Sequence, residues 1–433
     1  EISLGLVGSE MCIRDRLIGF IICILCISPI AGANIDWNTF QSNLNHTGYV
    51  DDNSDFVTNL WSFNMESPVI GSPAIYGDFL YVVSQEGILK VIDMENGTED
   101  WSFNLKGDSN ATPVVSNNTV FVGNNQSFKA IDIESQDILW KYNTSDESIQ
   151  GAAYVDNDTV YVGCDNGHVY GFDIADGNKT FEADLGEDKI VSSPIVVNGS
   201  LYVGSTNGNV YCINLNNTNI TWQYATGDAV YSSPAYAEGK IIIGSDDDSL
   251  YALNETNGDL CWDYDLNNKV KSSPCIDEYN NNVYIGSDEG NLTCLDLRDG
   301  TFKWSHATGA PVQSTPAIKE ELIAFGSNDG TGYVLNKYTG EEEFTYNPGT
   351  ILFNSEITSS PVINGNSLFF ADHSGHVYSL NIDKSEVPAC EYLFYTLAVL
   401  VVILVVIVVV VKTIKKHNRS CLLYTSPSPR DRG

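Results

Sequence analysis

The stretch Ala252-Leu-Asn254-Glu-Thr-Asn-Gly258-Asp-Leu-Cys-Trp262 is one copy of a unit that recurs through the middle of the chain. A small residue is followed two places on by Asp or Asn, four further on by Gly, and four further again by Trp. Val91, Asp93, Gly97 and Trp101 repeat it, as do Cys294, Asp296, Gly300 and Trp304. Looser copies run Ala130, Asp132, Gln136, Trp140 and Cys212, Asn214, Thr218, Trp222. Two more end in Phe: Gly171, Asp173, Gly177, Phe181 and Val334, Asn336, Gly340, Phe344. The closing aromatics return about every 40 residues, a period in the range of propeller blades.

A second marker keeps the same step. Ser72-Pro73, Thr112-Pro113, Ser193-Pro194, Ser233-Pro234, Ser273-Pro274, Thr315-Pro316 and Ser360-Pro361 each open a short apolar run, and Ala152-Ala153 stands where the third should begin. Each repeat then reads as four short strands. Proline opens strand A, where its missing N–H is tolerated. Strand B alternates, as in Leu201-Tyr202-Val203-Gly204, and a tight turn such as Asn207-Gly208 leads to strand C. The Asp-x-x-x-Gly turn leads to strand D, which carries the aromatic. A four-stranded blade is too small to bury its own faces, so a large flat side chain must fill the space between neighbours. Trp61, Trp101, Trp140, Phe181, Trp222, Trp262, Trp304 and Phe344 are assigned that docking role. The sequence therefore predicts an all-β, eight-bladed propeller.

Trp61 lies in a lone fourth strand about 40 residues before Trp101, a spacing that puts it in the repeat. The final repeat, from Ser360 to Leu380, has three strands and no Trp. The two fragments complement each other. The N-terminal strand is expected to close the last blade beside Tyr378, removing open sheet edges.

The flanks read differently. Residues 1–16 and 420–433 look foreign to the protein, resembling adaptor-derived ends, and are set aside. Residues 17–33 read as a signal peptide, an apolar run ending in Ala31-Gly32-Ala33, with a short membrane anchor as the alternative. The propeller is assigned to residues 34–383 and a linker to 384–391. Tyr392 to Val411 is uncharged and rich in Val, Leu and Ile, and about 20 such residues match a bilayer-spanning helix. Lys412, Lys415, Lys416 and Arg419 follow in a basic tail, residues 412–419, which marks the cytoplasmic side and places the propeller outside the cell membrane.

The net charge of −34 over 433 residues excludes a nucleic-acid partner and suits a solvated or cation-rich exterior. Asn-x-Ser/Thr sequons run from Asn45 to Asn291, a density that fits a glycosylated surface protein. The six exterior cysteines, Cys164, Cys212, Cys261, Cys275, Cys294 and Cys390, lack Cys-x-x-Cys spacing, so a zinc site is not indicated.

From Trp37 to about Asn381 the repeats resemble the pyrroloquinoline quinone (PQQ) enzyme-like β-propellers. That family's Ala-x-Asp-x-x-x-Gly-x-x-x-Trp pattern is matched by Ala252, Asn254, Gly258 and Trp262, and Trp37 to Tyr49 resembles its N-terminal signature. The resemblance implies one of two branches. Quinoprotein dehydrogenases hold the quinone and calcium, use a catalytic Asp, and often place adjacent cysteines under the cofactor. The other branch is non-enzymatic and includes the outer-membrane-assembly scaffold. This chain has no adjacent cysteine pair and no long blade insertions, which brings it nearer the second branch. The expectation is a binding scaffold without catalysis or cofactor, with an unknown protein or glycan partner. The alternative is a membrane-tethered oxidoreductase using PQQ and calcium.

In a propeller, positions that differ between equivalent places are where function can reside. The residue three before each strand-A proline, or before Ala153, is such a position. It reads Ile70, Asn110, Gln150, Val191, Tyr231, Lys271, Gln313 and Thr358. Asn110, Gln150, Tyr231, Lys271, Gln313 and Thr358 are the candidate ligand-binding residues, able to hold a sugar or another polar or anionic group; the alternative is a water-filled channel. The ring contains no carboxylate, so general acid–base chemistry has no tuned pair there. No catalytic or metal site is assigned. Asp246-Asp247-Asp248 reads as a solvated turn rather than a calcium loop, and His373 and His376 lack a third ligand nearby.

Overall fold

The computed structural model describes residues 49–50, 61–145, 147–349 and 355–382. The chain divides into two compact units, Glu1–Ile382 and Asp383–Gly433, and the second lies outside the described residues. So do the expected signal peptide, linker, span and tail. No helix occurs among the described residues, and none there is long and apolar enough to cross a membrane.

Blade four shows the plan. Strands A to D are Ile195–Val197, Ser200–Gly204, Asn209–Asn214 and Ile220–Ala225, paired in that order as an antiparallel meander. Seven further sheets repeat the plan, with A strands beginning at Ala74, Val114, Tyr154, Ala235, Cys275, Ala317 and Val362. Neighbouring A strands touch at most seams of the ring, including that of blades eight and one, so they surround the axis. The D strands lie outermost.

The last blade is built from both ends of the propeller. Trp61–Asn64 pairs antiparallel with His376–Asn381, Trp61 opposite Ser379 and Ser62 opposite Tyr378. Blade seven gains a short fifth strand on its inner edge, Tyr49–Val50, which runs parallel to Ala317–Lys319. The repeat pattern gave no sign of that strand.

Burial follows strand position. Strands B and C are packed on both faces, as in Leu201 to Gly204, whereas strand D of blade five buries only Trp262. Burying one such indole removes about 200 Å² from water, worth on the order of 5 kcal/mol as an upper bound.

The indole packs on the glycine turn of the following blade. A Cβ at Gly258 would lie 2.7 Å from the Trp222 ring, and one at Gly300 2.8 Å from Trp262. These glycines also hold φ near +73°, so the position combines a left-handed turn with a close ring. Most docked indoles donate their N–H to a backbone carbonyl beside that turn: Trp222 to Glu255 at 2.9 Å, Trp262 to Leu297 at 3.0 Å, Trp304 to Lys337 at 3.1 Å. Trp61 does the same across the closure, to Met94 at 2.9 Å. Phe181 is buried against Tyr161. Phe344 differs: its side chain is 44 % exposed. The D strand of blade eight comes from the N terminus, so no glycine turn follows Asn381 to receive that ring.

The Ser/Thr before each strand-A proline has its own task. The N–H of Ser193 donates to Ser233 Oγ at 2.9 Å, and that of Ser233 to Ser273 Oγ at 2.9 Å. The relay continues from Ser273 to Thr315, from Thr315 to Ser360, and from Ser360 back to Ser72 across the closure at 3.0 Å. Ser72 donates to Thr112, and Ala152 to Ser193. One link is missing: Ala152 has no hydroxyl to offer Thr112.

Candidate functional site

Each blade enters from the D–A loop and turns back at the B–C loop, so these two loops share one end of the barrel of strands. That end is the mouth of the channel. The candidate residues sit on the D–A loops, and the second residue after each strand B lies beside them. In all eight blades the backbone N–H of that second residue donates to the D–A loop, as in Asp165 to Ser148 at 2.9 Å and Asp288 to Lys269 at 2.8 Å. The backbone therefore fixes two concentric rings of side chains.

The second ring supplies carboxylates that the first lacks. Asp165 takes the Gln150 amide and the Lys189 ammonium, both at 2.7 Å. Asp246 holds Lys269 at 2.9 Å. Asp288 takes the Gln313 amide at 2.8 Å and lies 3.8 Å from Lys271, whose ammonium stands 5.9 Å from the Tyr231 ring centre. Hydrogen bonding to these carboxylates raises the pKa of Lys189 and Lys269 above the usual lysine value. Sequence reasoning missed this ring. Its signal was the second position after each strand-B glycine, where Asp165, Asp246 and Asp288 recur.

The structure thus sorts the candidates into three groups. Tyr231, Lys271 and Gln313 are joined through Asp288. Gln150 and Asn110 line an open cavity of about 280 Å³ over the loops of blades one to four, together with Gln85, Asn125, Asp165 and Lys189. Thr358 stands apart, its hydroxyl 2.7 Å from His373 Nε2, with Glu356 3.5 Å from the other ring nitrogen.

The remaining acidic and His motifs have structural partners. Asp247 accepts the Tyr251 hydroxyl at 2.7 Å and the Gly227 N–H, which pins the B–C turn. His376 Nδ1 lies 2.8 Å from Ser374 Oγ. Among the described residues no three His, Cys, Asp or Glu side chains gather as a metal site. The five described cysteines are free thiols, and Cys261 alone of them is exposed. Burial pushes Cys164 up to about 11 and Cys294 up to about 12, far from nucleophilic thiolates.

A family model described as "Beta-alanine-activating enzyme, beta-propeller" matches residues 187–417, more than half of the chain. A second, described as "Outer membrane protein assembly factor BamB", matches residues 57–264. The chain belongs to the β-propeller family of the first model, and the second supports a PQQ-like, BamB-type propeller. Comparison with curated proteins finds no significant match. Among solved structures, this PQQ-like propeller is similar to BamB from Moraxella catarrhalis at 16 % identity and TM-score 0.63, covering 75 % of this chain and all of that one. It is also similar to a quinohemoprotein alcohol dehydrogenase from Comamonas testosteroni, at 14 % identity and TM-score 0.68, covering 82 % of each chain. A europium-containing methanol dehydrogenase matches at 15 % identity and TM-score 0.66, over 84 % of this chain and 91 % of that one. At such identities the likeness establishes the fold alone.

Proposed function

We propose that this PQQ-like propeller is a binding or scaffold module displayed outside a cell membrane, anchored by a span at Tyr392 to Val411, and that it carries out no chemistry of its own. The observation that carries this reading is the state of the mouth carboxylates. Asp165 and Asp246 are each paired with a lysine, and Asp288 with an amide and a more distant lysine. Acid–base catalysis needs a group free to exchange its proton, whereas paired carboxylates, amides and a phenol make a fixed polar surface suited to recognition. The open cavity lined by Asn110 and Gln150 is the natural seat for a sugar or a partner's polar group.

The quinone and calcium of the dehydrogenase branch fit this donor set poorly. Calcium takes six to eight oxygens, and here the buried mouth carboxylates of Asp165 and Asp246 already hold ammonium groups. Of the buried cysteines, Cys164 lies in blade three, Cys212 in blade four, and Cys275 and Cys294 on different strands of blade six, so none is adjacent to another in sequence.

Screening the full chain in detergent against a glycan array and a panel of surface proteins tests the proposal. A specific binder whose affinity falls about tenfold with Gln150→Ala or Asn110→Ala supports it, each change removing a hydrogen-bonding group worth about 1 kcal/mol or more. Dye-linked oxidation of alcohols or sugars after adding PQQ and calcium would overturn it in favour of the oxidoreductase.

A further inference from the structure

The sequons do not fall evenly on the propeller. The A–B and C–D turns share the end opposite the mouth, because each blade is a simple meander. Asn117, Asn157 and Asn198 occupy the same left-handed place in the A–B turns of blades two, three and four, with φ of 49°, 50° and 51°. Asn tolerates this conformation, which explains the Asn. The turn does not require the hydroxyl residue two places on, yet Thr119, Thr159 and Ser200 stand there in all three. All three Asn side chains are exposed. The C–D turns of blades one, three and four add exposed sequons at Asn96, Asn178 and Asn216.

At the mouth end Asn143, the last residue of strand D of blade two, is an exposed sequon as well, whereas the sequons nearer the cavity are tied into the fold. Asn125 lines the cavity and is half-buried, and the hydroxyl residue of its sequon, Ser127, is fully buried with its hydroxyl bonded to Asn124. The sequon at Asn291 likewise ends in a buried Thr293. At Asn110 the sequon's Thr112 is committed to the hydroxyl relay. Blades six to eight carry no sequon on the turn face, and strand C of blade eight, whose last residue is Asn381, runs toward that face. The same arc therefore gives the described chain its way out.

We infer that N-linked glycosylation falls on the turn face of blades one to four and on the outer rim at Asn143, and that the cavity lining and the turn face of blades six to eight are kept free of sugar. The cavity is thus the open surface for a ligand, and the bare arc flanks Asn381. This assignment rests on the exterior placement proposed above.

The test is a site map. The full chain is expressed through a secretory pathway that attaches N-glycans, and the glycans are released enzymatically in heavy-oxygen water. Mass spectrometry then reads each converted Asn. Occupancy at Asn117, Asn157, Asn178 and Asn198 is expected, with Asn110, Asn125 and Asn291 unmodified. Replacing the first four together by Gln should remove most of the glycan mass while the protein still folds and leaves the cell compartment. Occupied Asn110 or Asn125 in folded material overturns the division of faces, as does an exported chain with a bare turn face. A chain that never enters the pathway defeats instead the exterior reading beneath it.

Discussion

The seams between blades four and five, five and six, and six and seven each carry three devices: an indole N–H bond, a glycine under the ring, and a hydroxyl in the inner relay. The seams between blades one and four each lack at least one. Between one and two, Gln136 replaces the glycine, and Trp101 makes no such N–H bond among the described residues. Between two and three the indole of Trp140 is bonded to Ile174, but the relay breaks at Ala152. Between three and four, Thr218 stands in the glycine's place and Phe181 in the indole's. The cavity opens over this second arc, lined by loops of blades one to four. The closure seam is instructive because it joins the two ends of the propeller and yet is complete, with Trp61, Gly97 and Ser72 all in place. Chain continuity does not decide how well a seam is held. Departure from the repeat does: it marks the three seams beneath the cavity, and also the seam between blades seven and eight, where Phe344 is exposed.

The largest effect that can test this contrast lies in the indoles. Trp262→Ala at a complete seam removes a buried ring and its hydrogen bond, and is expected to cost about 3–5 kcal/mol in chemical denaturation. Trp101→Ala, at a seam without the glycine or the N–H bond, should cost about 1 kcal/mol less. Equal losses would show that the extra devices of the regular arc contribute nothing.

Two buried lysines sharpen the same comparison. Lys337, between blades six and seven, lies 2.8 Å from the buried Asp277. Lys129 takes a place in strand C where blades three, four and five have a tyrosine. It is 3 % exposed, and among the described residues its ammonium reaches only the Ser127 hydroxyl, at 2.5 Å. Lys337→Met leaves Asp277 buried without that partner and should destabilise by about 3–5 kcal/mol. Lys129→Met should be neutral or stabilising. Burial drops the Lys129 pKa to about 8 from its ordinary 10.5, with the nearby Lys141 charge adding to the effect. The unfolded chain therefore binds more protons between these two values, and stability should rise with pH across that window. The full rise is up to about 3 kcal/mol, at about 1.4 kcal/mol per unit. Denaturation midpoints measured from pH 8 to 10.5 should show this rise in the parent and lose it in Lys129→Met. A parent whose stability is flat across the window would mean that Lys129 is solvated.

The blade count, the strand order and the closing of the last blade were legible because they are set by spacing, and spacing is what a repeat displays. Trp61 could be placed beside Tyr378 from two incomplete repeats alone. The inner strand Tyr49–Val50 was not legible, since two residues carry no period. Phe344 read as a docking ring because its own repeat is sound; its exposure depends on the next blade, which has no turn to receive it. The candidate site was half visible. Gln150, Lys271 and Gln313 were marked by variation at one position, but their carboxylate partners come from a loop in the same or the preceding blade. Only the fold brings the two rings side by side. The relay was hidden differently: Ser-Pro looked like a strand opener, and the hydroxyl's acceptor role appears only between neighbours about 40 residues apart.

Ala152 offers the smallest and cleanest test of the contrast. Seven of the eight seams pass a backbone N–H to a hydroxyl at this place, and the eighth cannot because alanine stands there. The site is buried, like those of Ser193 and Ser233, so a serine of similar size has precedent in the same geometry. Ala152→Ser should join Thr112 to the relay and stabilise the propeller by about 1 kcal/mol, the usual net worth of one hydrogen bond. If the hydroxyl found no donor it would instead be a buried polar group without a partner, costing about 1–3 kcal/mol. The sign of the change in unfolding free energy therefore decides whether the relay is a stabilising ring with one natural gap, or whether blades two and three are spaced so that no hydroxyl can bridge them. In the second case the cavity above that seam is built into the backbone, and filling the gap would not close it.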